Sequence, residues 1–197
     1  VVRSPMVSFR TNSKLLVTLL CFAILCFAAI VLNVGHGEYP IATLDIIKTL
    51  FGFDTGNPDH AFVIYTLRLP RTLVAFLVGS ALAISGTIFQ GLTRNSLADP
   101  SIIGINAGAS LAAVAIIVLF PSAPVYALPI TAFGGALFIA ALIYGLAWNQ
   151  GSSPIRLILL GIGLAAIASA FTSLMITFGS IYDVSQALVW LAGSVYG

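Results

Sequence analysis

The sequence predicts an all-α membrane protein, a polytopic bundle of about five transmembrane helices. Hydrophobic residues make up 59% of the chain and charged residues only 7%, whereas a soluble domain has about 25% charged residues. Several charge-free runs are long enough to cross a bilayer as helices. Small residues recur along these runs at helical spacing, as they do where helices pack in lipid. The net charge of +2 gives no basis for nucleic-acid binding.

The charge-free runs place five spans. We predict them at residues 15–34, 70–93, 100–120, 129–148 and 156–180. The first run is longer than the apolar part of a usual signal peptide and lacks a small-residue cleavage site, so we expect an uncleaved span. Pro121 and Pro124 supply the turn between the third and fourth spans. Residues 184–197 form an uncharged tail that is too short to cross.

Prolines and capping residues place the helix ends. Pro70 suits the first turn of the second span, because a proline there loses no helical hydrogen bond. Asp99 followed by Pro100 is typical of an N-cap and first helical position, and Ser153 before Pro154 begins the fifth span in a similar way. Residues 41–52 are predicted to form a short amphipathic helix on the outer membrane surface.

Basic residues favour an N-terminus inside the cell. Short inner segments would hold five of them, which are Arg3, Arg10, Lys14, Arg94 and Arg156. The outer side would hold three, which are Lys48, Arg68 and Arg71. Because cytoplasmic loops are enriched in lysine and arginine, we expect the turn at residues 94–99 inside and residues 35–66 outside.

The sequence contains no catalytic motif. It lacks a nucleotide-binding glycine loop with lysine, a metal-spaced cluster and a nucleophile elbow. We therefore predict no enzyme activity, no cofactor and no metal site. Apart from Arg71 and Arg156 in the first turns of their helices, no ionisable residue lies inside a predicted span, which argues against a proton relay. Any energy for transport would then enter through another subunit.

A few residues are candidates for packing or binding. Small residues predicted to lie at close helix contacts are Gly79, Ala83 and Gly86 in the second span, and Gly104 and Gly108 in the third. Gln90, at the inner end of the second span, is a polar group suited to interhelical hydrogen bonding. Arg68 and Arg71 either extend to lipid headgroups or dock an acidic partner outside the membrane.

The stretch that begins at Arg68 resembles the FecCD-type permease family, the membrane subunits of ATP-binding-cassette (ABC) importers for iron–siderophores, haem and cobalamin. The matching features, in order, are R-L-P-R, then G-x-x-L-A-x-S-G-x-x-x-Q, then R-N-x-L-A-D-P, then G-x-x-x-G-A. Landmarks at Arg156–Gly161 and Trp190–Gly193 follow. The family usually has proline where this chain has Ser96, which loosens the turn without removing it.

The resemblance implies a ten-span permease domain of which residues 1–197 are the N-terminal part. The missing start methionine at Val1 is consistent with a fragment. Such a subunit would move a metal chelate by ATP-driven alternating access across the bacterial cytoplasmic membrane. Its partners would be a second permease subunit (identical or not), two cytoplasmic ATP-binding subunits and an extracytoplasmic substrate-binding protein.

The resemblance also assigns roles to residues. Arg68 and Arg71 match the outer pair that meets acidic residues of the binding protein. Asn95 and Leu97 lie in a turn that resembles the inner gate, with Ser152 and Ser153 near a second inner constriction. Two alternatives remain open at this point: a membrane assembly subunit with no transport role, and half of a secondary transporter. The sequence does not identify the chelate.

Overall fold

In the computed structural model, which describes residues 13–35, 37, 39–148 and 153–195, all regular secondary structure is helical. The α-helices are α1 (Ser13–Gly35), α2 (Thr43–Leu50), α3 (Pro58–Phe62), α4 (Leu69–Thr93), α5 (Ile105–Leu119), α6 (Ala127–Ala147), α7 (Pro154–Phe178) and α8 (Ile181–Ala192). A π-helical segment (Val63–Arg68) joins α3 to α4, and a 3₁₀ turn (Pro100–Ile103) precedes α5. The all-α prediction is confirmed. The chain divides into two compact units, one ending at Val78 and the other beginning at Gly79.

The first unit packs α2 and the π-helical segment against the end of α1. Its core consists of four buried aliphatic side chains, Val34, Ile41, Ile46 and Ile64. The predicted short helix at residues 41–52 is present as α2, and it buries Ile46 and Thr49. Leu50 packs partly buried against the core, whereas Leu44, Ile47 and the C-cap residue Phe51 are exposed. The placement of this helix on the outer membrane surface stays a prediction.

The predicted second span, residues 70–93, corresponds to α4, but Pro70 does not begin the helical structure there. Helical structure runs without a break from Pro58 to Thr93, so Pro70 lies inside it. A proline within a helix has no N–H to donate and crowds the carbonyl one turn earlier. The π-helical segment Val63–Arg68 directly precedes α4, and such a widened turn accommodates a break in the regular hydrogen-bond pattern.

The second unit is built around α5, which packs against α6, α7 and α8. The crossing of α5 and α6 is close because glycines meet there. A Cβ atom placed on Gly108 would lie 2.7 Å from the carbonyl oxygen of Gly135. At the other side of α5, Val114 and Ile117 pack with Ala187 of α8 in an apolar cluster.

Of the five predicted spans, four correspond to helices that are long and apolar enough to cross a membrane, and the third corresponds to a shorter apolar helix. Within the described ranges, α1, the run Pro58–Thr93, α6 and α7 are long and apolar enough to cross a membrane. The predicted third span, residues 100–120, is divided. Its first residues form the 3₁₀ turn and Gly104 adopts a left-handed φ of 78°, which leaves 15 residues for α5. At about 1.5 Å per residue α5 is shorter than the ~30 Å hydrocarbon core.

The other three predicted spans each correspond to a helix, and the C-terminal tail contains one more. The first span, predicted at residues 15–34, is α1, while α6 and α7 begin and end within two residues of their predicted limits. The tail contains a helix that the sequence analysis did not predict, α8. Ser180 caps it by accepting a hydrogen bond from the Asp183 N–H. Trp190 packs against the α5–α8 cluster.

Candidate functional site

The turn after α4 is held by a specific backbone arrangement. Arg94 takes a left-handed φ of 51°, which is uncommon for a residue with a side chain. Its N–H donates to the Gly91 carbonyl at 3.4 Å, and the Asn95 N–H donates to the Gln90 carbonyl at 3.2 Å. This pair of bonds is a Schellman motif, which ends a helix while satisfying its last carbonyls. The side chain of Gln90 is exposed.

Asn95 shapes the tip of this turn. Its Oδ1 accepts a hydrogen bond from the Leu97 N–H at 3.0 Å, and its carbonyl accepts one from the Ala98 N–H at 3.2 Å. Asparagine favours such turns because its short amide can replace a backbone partner. Leu97 is left 89% exposed at the tip. The structure thus brings these two predicted gate residues together in one tight turn.

Asp99 closes the turn as predicted, although the helix that it caps is the 3₁₀ segment. Its Oδ1 accepts a hydrogen bond from the Ser101 N–H at 2.7 Å. Two hydrogen bonds hold the pKa of Asp99 below its usual value of 3.8. The larger effect comes from the Ser101 side chain and the smaller one from the Ser101 backbone N–H. The carboxylate is therefore ionised at neutral pH, in the form that accepts both bonds.

The 3₁₀ segment is anchored on α7 through Gly104. A Cβ atom there would lie 2.7 Å from the Gly161 carbonyl oxygen and 2.5 Å from the Ala165 Cβ. Together with the left-handed φ of Gly104, this contact admits only glycine without a shift of backbone. The end of the 3₁₀ segment and the start of α5 are thus fixed to α7.

A cleft of about 660 Å³ opens beside this turn. Most of its wall is apolar and comes from residues 81–92 of α4 and from the 3₁₀ segment. Four polar residues also line it, namely Ser85, Asp99, Ser101 and Asn106. Pockets that bind organic molecules have this composition, an apolar wall with a few polar groups.

The other predicted gate residues fall elsewhere. Ser153 is the N-cap residue of α7 and is exposed, and its carbonyl accepts the first helical bond, from the Leu157 N–H at 3.1 Å. Ser152 lies outside the described residues. Near this helix start, Arg156 donates from Nη1 to the carbonyl of Ala147, the last residue of α6, at 3.4 Å.

The predicted small-residue contacts divide into two groups. Gly104 and Gly108 lie at the close backbone contacts given above. Gly79 and Gly86 do not, since a Cβ atom at either position would meet nothing within 4 Å, and Ala83 is exposed. The stripe on α4 therefore faces no helix among the described residues, and its role in packing stays a prediction.

In the first unit, Arg68 lies at the end of α1. Its Nη1 donates to the carbonyls of Val34 at 2.8 Å and Gly35 at 3.4 Å, and its Nη2 donates to the Tyr39 carbonyl at 2.5 Å. Arg71, the second predicted docking residue, lies one turn further along and is half-buried. These hydrogen bonds from Arg68 to main-chain carbonyls were not predicted from the sequence.

A polar contact between two helices was also missed. Thr72 donates from Oγ1 to Oδ1 of Asn33 at 2.8 Å, which joins α4 to α1 within the first unit. The feature of the sequence that indicates this contact is Asn33, a polar amide near the end of an apolar run. In the described parts of the chain, no group of three or more His, Cys, Asp or Glu side chains could hold a metal ion.

Comparison with known proteins supplies the context for this geometry. The family model described as the FecCD transport family matches residues 24–197. The Fe(3+)-citrate import system permease protein YfmE of Bacillus subtilis is 39% identical over 189 residues, covering 95% of this chain and 55% of that protein. The iron(3+)-hydroxamate import system permease protein FhuG of the same organism is 37% identical over 198 residues, covering 95% and 57%.

A solved structure shares the fold. It is an inward-facing conformation of a metal-chelate type ABC transporter, with a TM-score of 0.77 and 28% sequence identity. The match covers 90% of this chain and 53% of that one. The chain thus spans about half the length of the relatives that it matches.

Proposed function

Because the chain belongs to the FecCD transport family, we propose that it is the N-terminal part of a membrane-spanning permease subunit of a binding-protein-dependent ABC importer. The observation that carries this proposal is the family match over residues 24–197, which includes the α4–turn–α5 region described above. Relatives of this chain are transport permeases rather than enzymes. The whole subunit would carry no covalent chemistry and would provide a path through the bilayer.

The proposed substrate is a ferric chelate. Relatives named for Fe(3+)-citrate and for iron(3+)-hydroxamate are almost equally similar to this chain, at 39% and 37% identity. This supports the class of ferric chelates and does not favour one ligand chemistry within it. The iron is cargo here, so the permease needs no metal ligands of its own.

We propose that ATP hydrolysis in cytoplasmic partner subunits supplies the energy for transport. Residues 72–93, 100–155 and 157–182 contain no Asp, Glu, Lys, Arg or His, the side chains that ion-coupled carriers use, and Asp99 lies outside them in the turn after α4. The span interiors therefore offer no ionisable side chains for a proton relay. A second permease subunit and an extracytoplasmic binding protein complete the proposed assembly, which lies in the bacterial cytoplasmic membrane with the N-terminus inside.

The turn after α4 is proposed to belong to the inner gate. Support comes from Leu97, which is exposed at the tip where its N–H donates to Asn95, and from the 3₁₀ segment after the turn, which packs on α7. Ser152 and Ser153 are proposed to contribute a second constriction. Arg68 and Arg71 are proposed to form part of the outer surface that receives the binding protein, and α2 to lie at the outer membrane surface.

Uptake of labelled iron tests the function. The full-length permease is expressed with its binding protein and ATP-binding subunit in a strain that lacks ferric chelate uptake. A panel of citrate, hydroxamate and catecholate complexes is then supplied. We expect uptake of at least one chelate, lost when the ATP-binding subunit is inactivated. Failure to take up any chelate, with all subunits present in the membrane, would contradict the proposal.

A further inference from the structure

The 3₁₀ segment meets α7 backbone to backbone. A Cβ atom on Gly161, which is buried within α7, would overlap the carbonyl oxygen of Ile103 and lie 2.9 Å from its carbonyl carbon. In return, a Cβ atom on Gly104 would meet the Gly161 carbonyl oxygen, as described above. Glycine on both sides permits this approach, and main-chain atoms cannot turn aside as a flexible side chain can.

The chain between this contact and Leu97 is held by a series of hydrogen bonds. The Gly104 N–H donates to the Ser101 carbonyl at 3.1 Å. The Ile102 N–H donates to the Asp99 carbonyl at 3.2 Å, and Oδ1 of Asp99 holds the Ser101 N–H. The bonds at the tip of the turn continue the series. A displacement at the contact with α7 therefore passes to Leu97, because few dihedral angles in between are free to absorb it.

A second glycine on α7 provides an internal comparison. Gly163 lies two residues after Gly161, and a Cβ atom there would meet nothing within 4 Å. Either glycine costs the helix about 1 kcal/mol relative to alanine. Only at Gly161 does a close contact require the missing side chain. The two positions therefore separate the effect of the contact from the effect of helix propensity.

We infer that Gly161 is a positioning residue of the inner gate, which seats the 3₁₀ segment on α7 so that the position of α7 sets the position of Leu97. The inference rests on the proposed function, which places Leu97 in the gate, and extends it by naming the helix that controls the turn. Closely packed contacts shift as a unit rather than stretch. A movement of α7 would then reach the tip of the turn without any partner subunit touching the turn.

The test compares Gly161→Ala with the matched control Gly163→Ala in the full-length transporter, reconstituted with its binding protein and ATP-binding subunits. The measurement is the number of ATP molecules hydrolysed per ferric citrate or ferric hydroxamate transported. Gly161→Ala is expected to raise this ratio roughly three- to tenfold, because a displaced tip lets the chelate slip back, and Gly163→Ala is expected to leave it unchanged. Equal ratios in both variants, or transport and ATP hydrolysis lost in the same proportion, would overturn the inference.

Thiol labelling provides a readout that does not depend on transport. Leu97→Cys is introduced into a permease without other cysteines, and inverted membrane vesicles are treated with an impermeant maleimide, with and without ATP. Gly161→Ala is expected to bring the ratio of the two labelling rates toward one, and Gly163→Ala is not. A ratio of one without either substitution would overturn the inference, since the tip then does not move. If no chelate is taken up but Gly161→Ala still changes the ratio, the proposed function fails and the positioning role stands.

A milder variant serves if Gly161→Ala does not fold. Asp99→Ala removes the acceptor of the Ser101 N–H and loosens the 3₁₀ segment without crowding α7, whereas Asp99→Asn keeps an acceptor oxygen. Asp99→Ala is expected to bring the labelling ratio at position 97 toward one, and Asp99→Asn is not. Equal ratios in these two variants would refute the transmission of movement along the segment.

Discussion

Gly108→Ala is expected to destabilise the second unit because it forces two helices apart. The new Cβ would lie 2.7 Å from the Gly135 carbonyl oxygen, about 0.7 Å inside the 3.4 Å at which ordinary contact begins. A backbone oxygen cannot rotate away as a flexible side chain can, so α5 and α6 must separate. Overpacking of this kind costs about 1–3 kcal/mol. In lipid, no hydrophobic force between helices replaces the lost contact.

Gly134→Ala is the matched control. It lies beside Gly135 on α6, but its Cβ would meet nothing within 4 Å. Both alanines gain the same helix propensity, about 1 kcal/mol, so this contribution cancels in the comparison. The assay is the thermal midpoint of the full-length protein in detergent, measured for both variants together. We expect Gly108→Ala to melt well below Gly134→Ala, and equal midpoints would refute the close crossing.

Three further predictions concern the turn after α4. Arg94→Gly should raise the thermal midpoint, since glycine removes a left-handed strain of about 1 kcal/mol, and a lower midpoint would count against the Schellman geometry. Because the pKa of Asp99 is lowered in the folded protein, its ionised carboxylate contributes fully to stability above pH 3.8, and this contribution is lost as the pH falls through the folded-state pKa. Asp99→Asn should therefore lose less stability on acidification than the unsubstituted protein. An identical pH dependence of stability in the two proteins would contradict this role of Asp99. In intact cells, Leu97→Cys should resist an impermeant thiol reagent supplied outside, and labelling without permeabilisation would reverse the proposed orientation.

The sequence was most informative where composition and periodicity decide the structure. Length and the absence of charge placed α1, α6 and α7 closely, because a bilayer demands about 20 apolar residues in any helix that crosses it. The cap formed by Asp99 and Pro100 could also be predicted from the sequence, since both residues favour the start of a helix without any tertiary contact. Gly104 and Gly108, which the sequence marked as small residues at helical spacing, both lie at close backbone contacts, although Gly104 precedes α5 and only Gly108 lies within it.

Local preference misled where tertiary structure overrides it. Pro70 is suited to a helix start, yet helical structure continues back to Pro58, because a π-helical segment tolerates the missing donor. Gly104 ends the 3₁₀ turn in a left-handed conformation that its contact with α7 requires, and no pattern in the sequence distinguishes it from a helical glycine. The helix α8 lacks the length of a span and depends on packing against α5.

The site residues were predicted by type and resemblance, whereas their roles depend on contacts. Asn95 and Leu97 were paired correctly in one turn, but the Asn95 side chain hydrogen-bonds to the main chain at the tip. Arg68 illustrates the same limit more strongly. Its position indicated an exposed charge, and only the folded chain shows that the guanidinium reaches back 34 residues to Val34 at the end of α1.

Reconstituted transport tests the central claim most directly. The full-length permease, its ATP-binding subunits and its binding protein are assembled in proteoliposomes, and accumulation of a labelled ferric chelate is followed. We predict accumulation that requires both ATP and the binding protein and that persists when all ion gradients are dissipated. Accumulation driven by an ion gradient in the absence of ATP would contradict the account and would identify a secondary transporter instead.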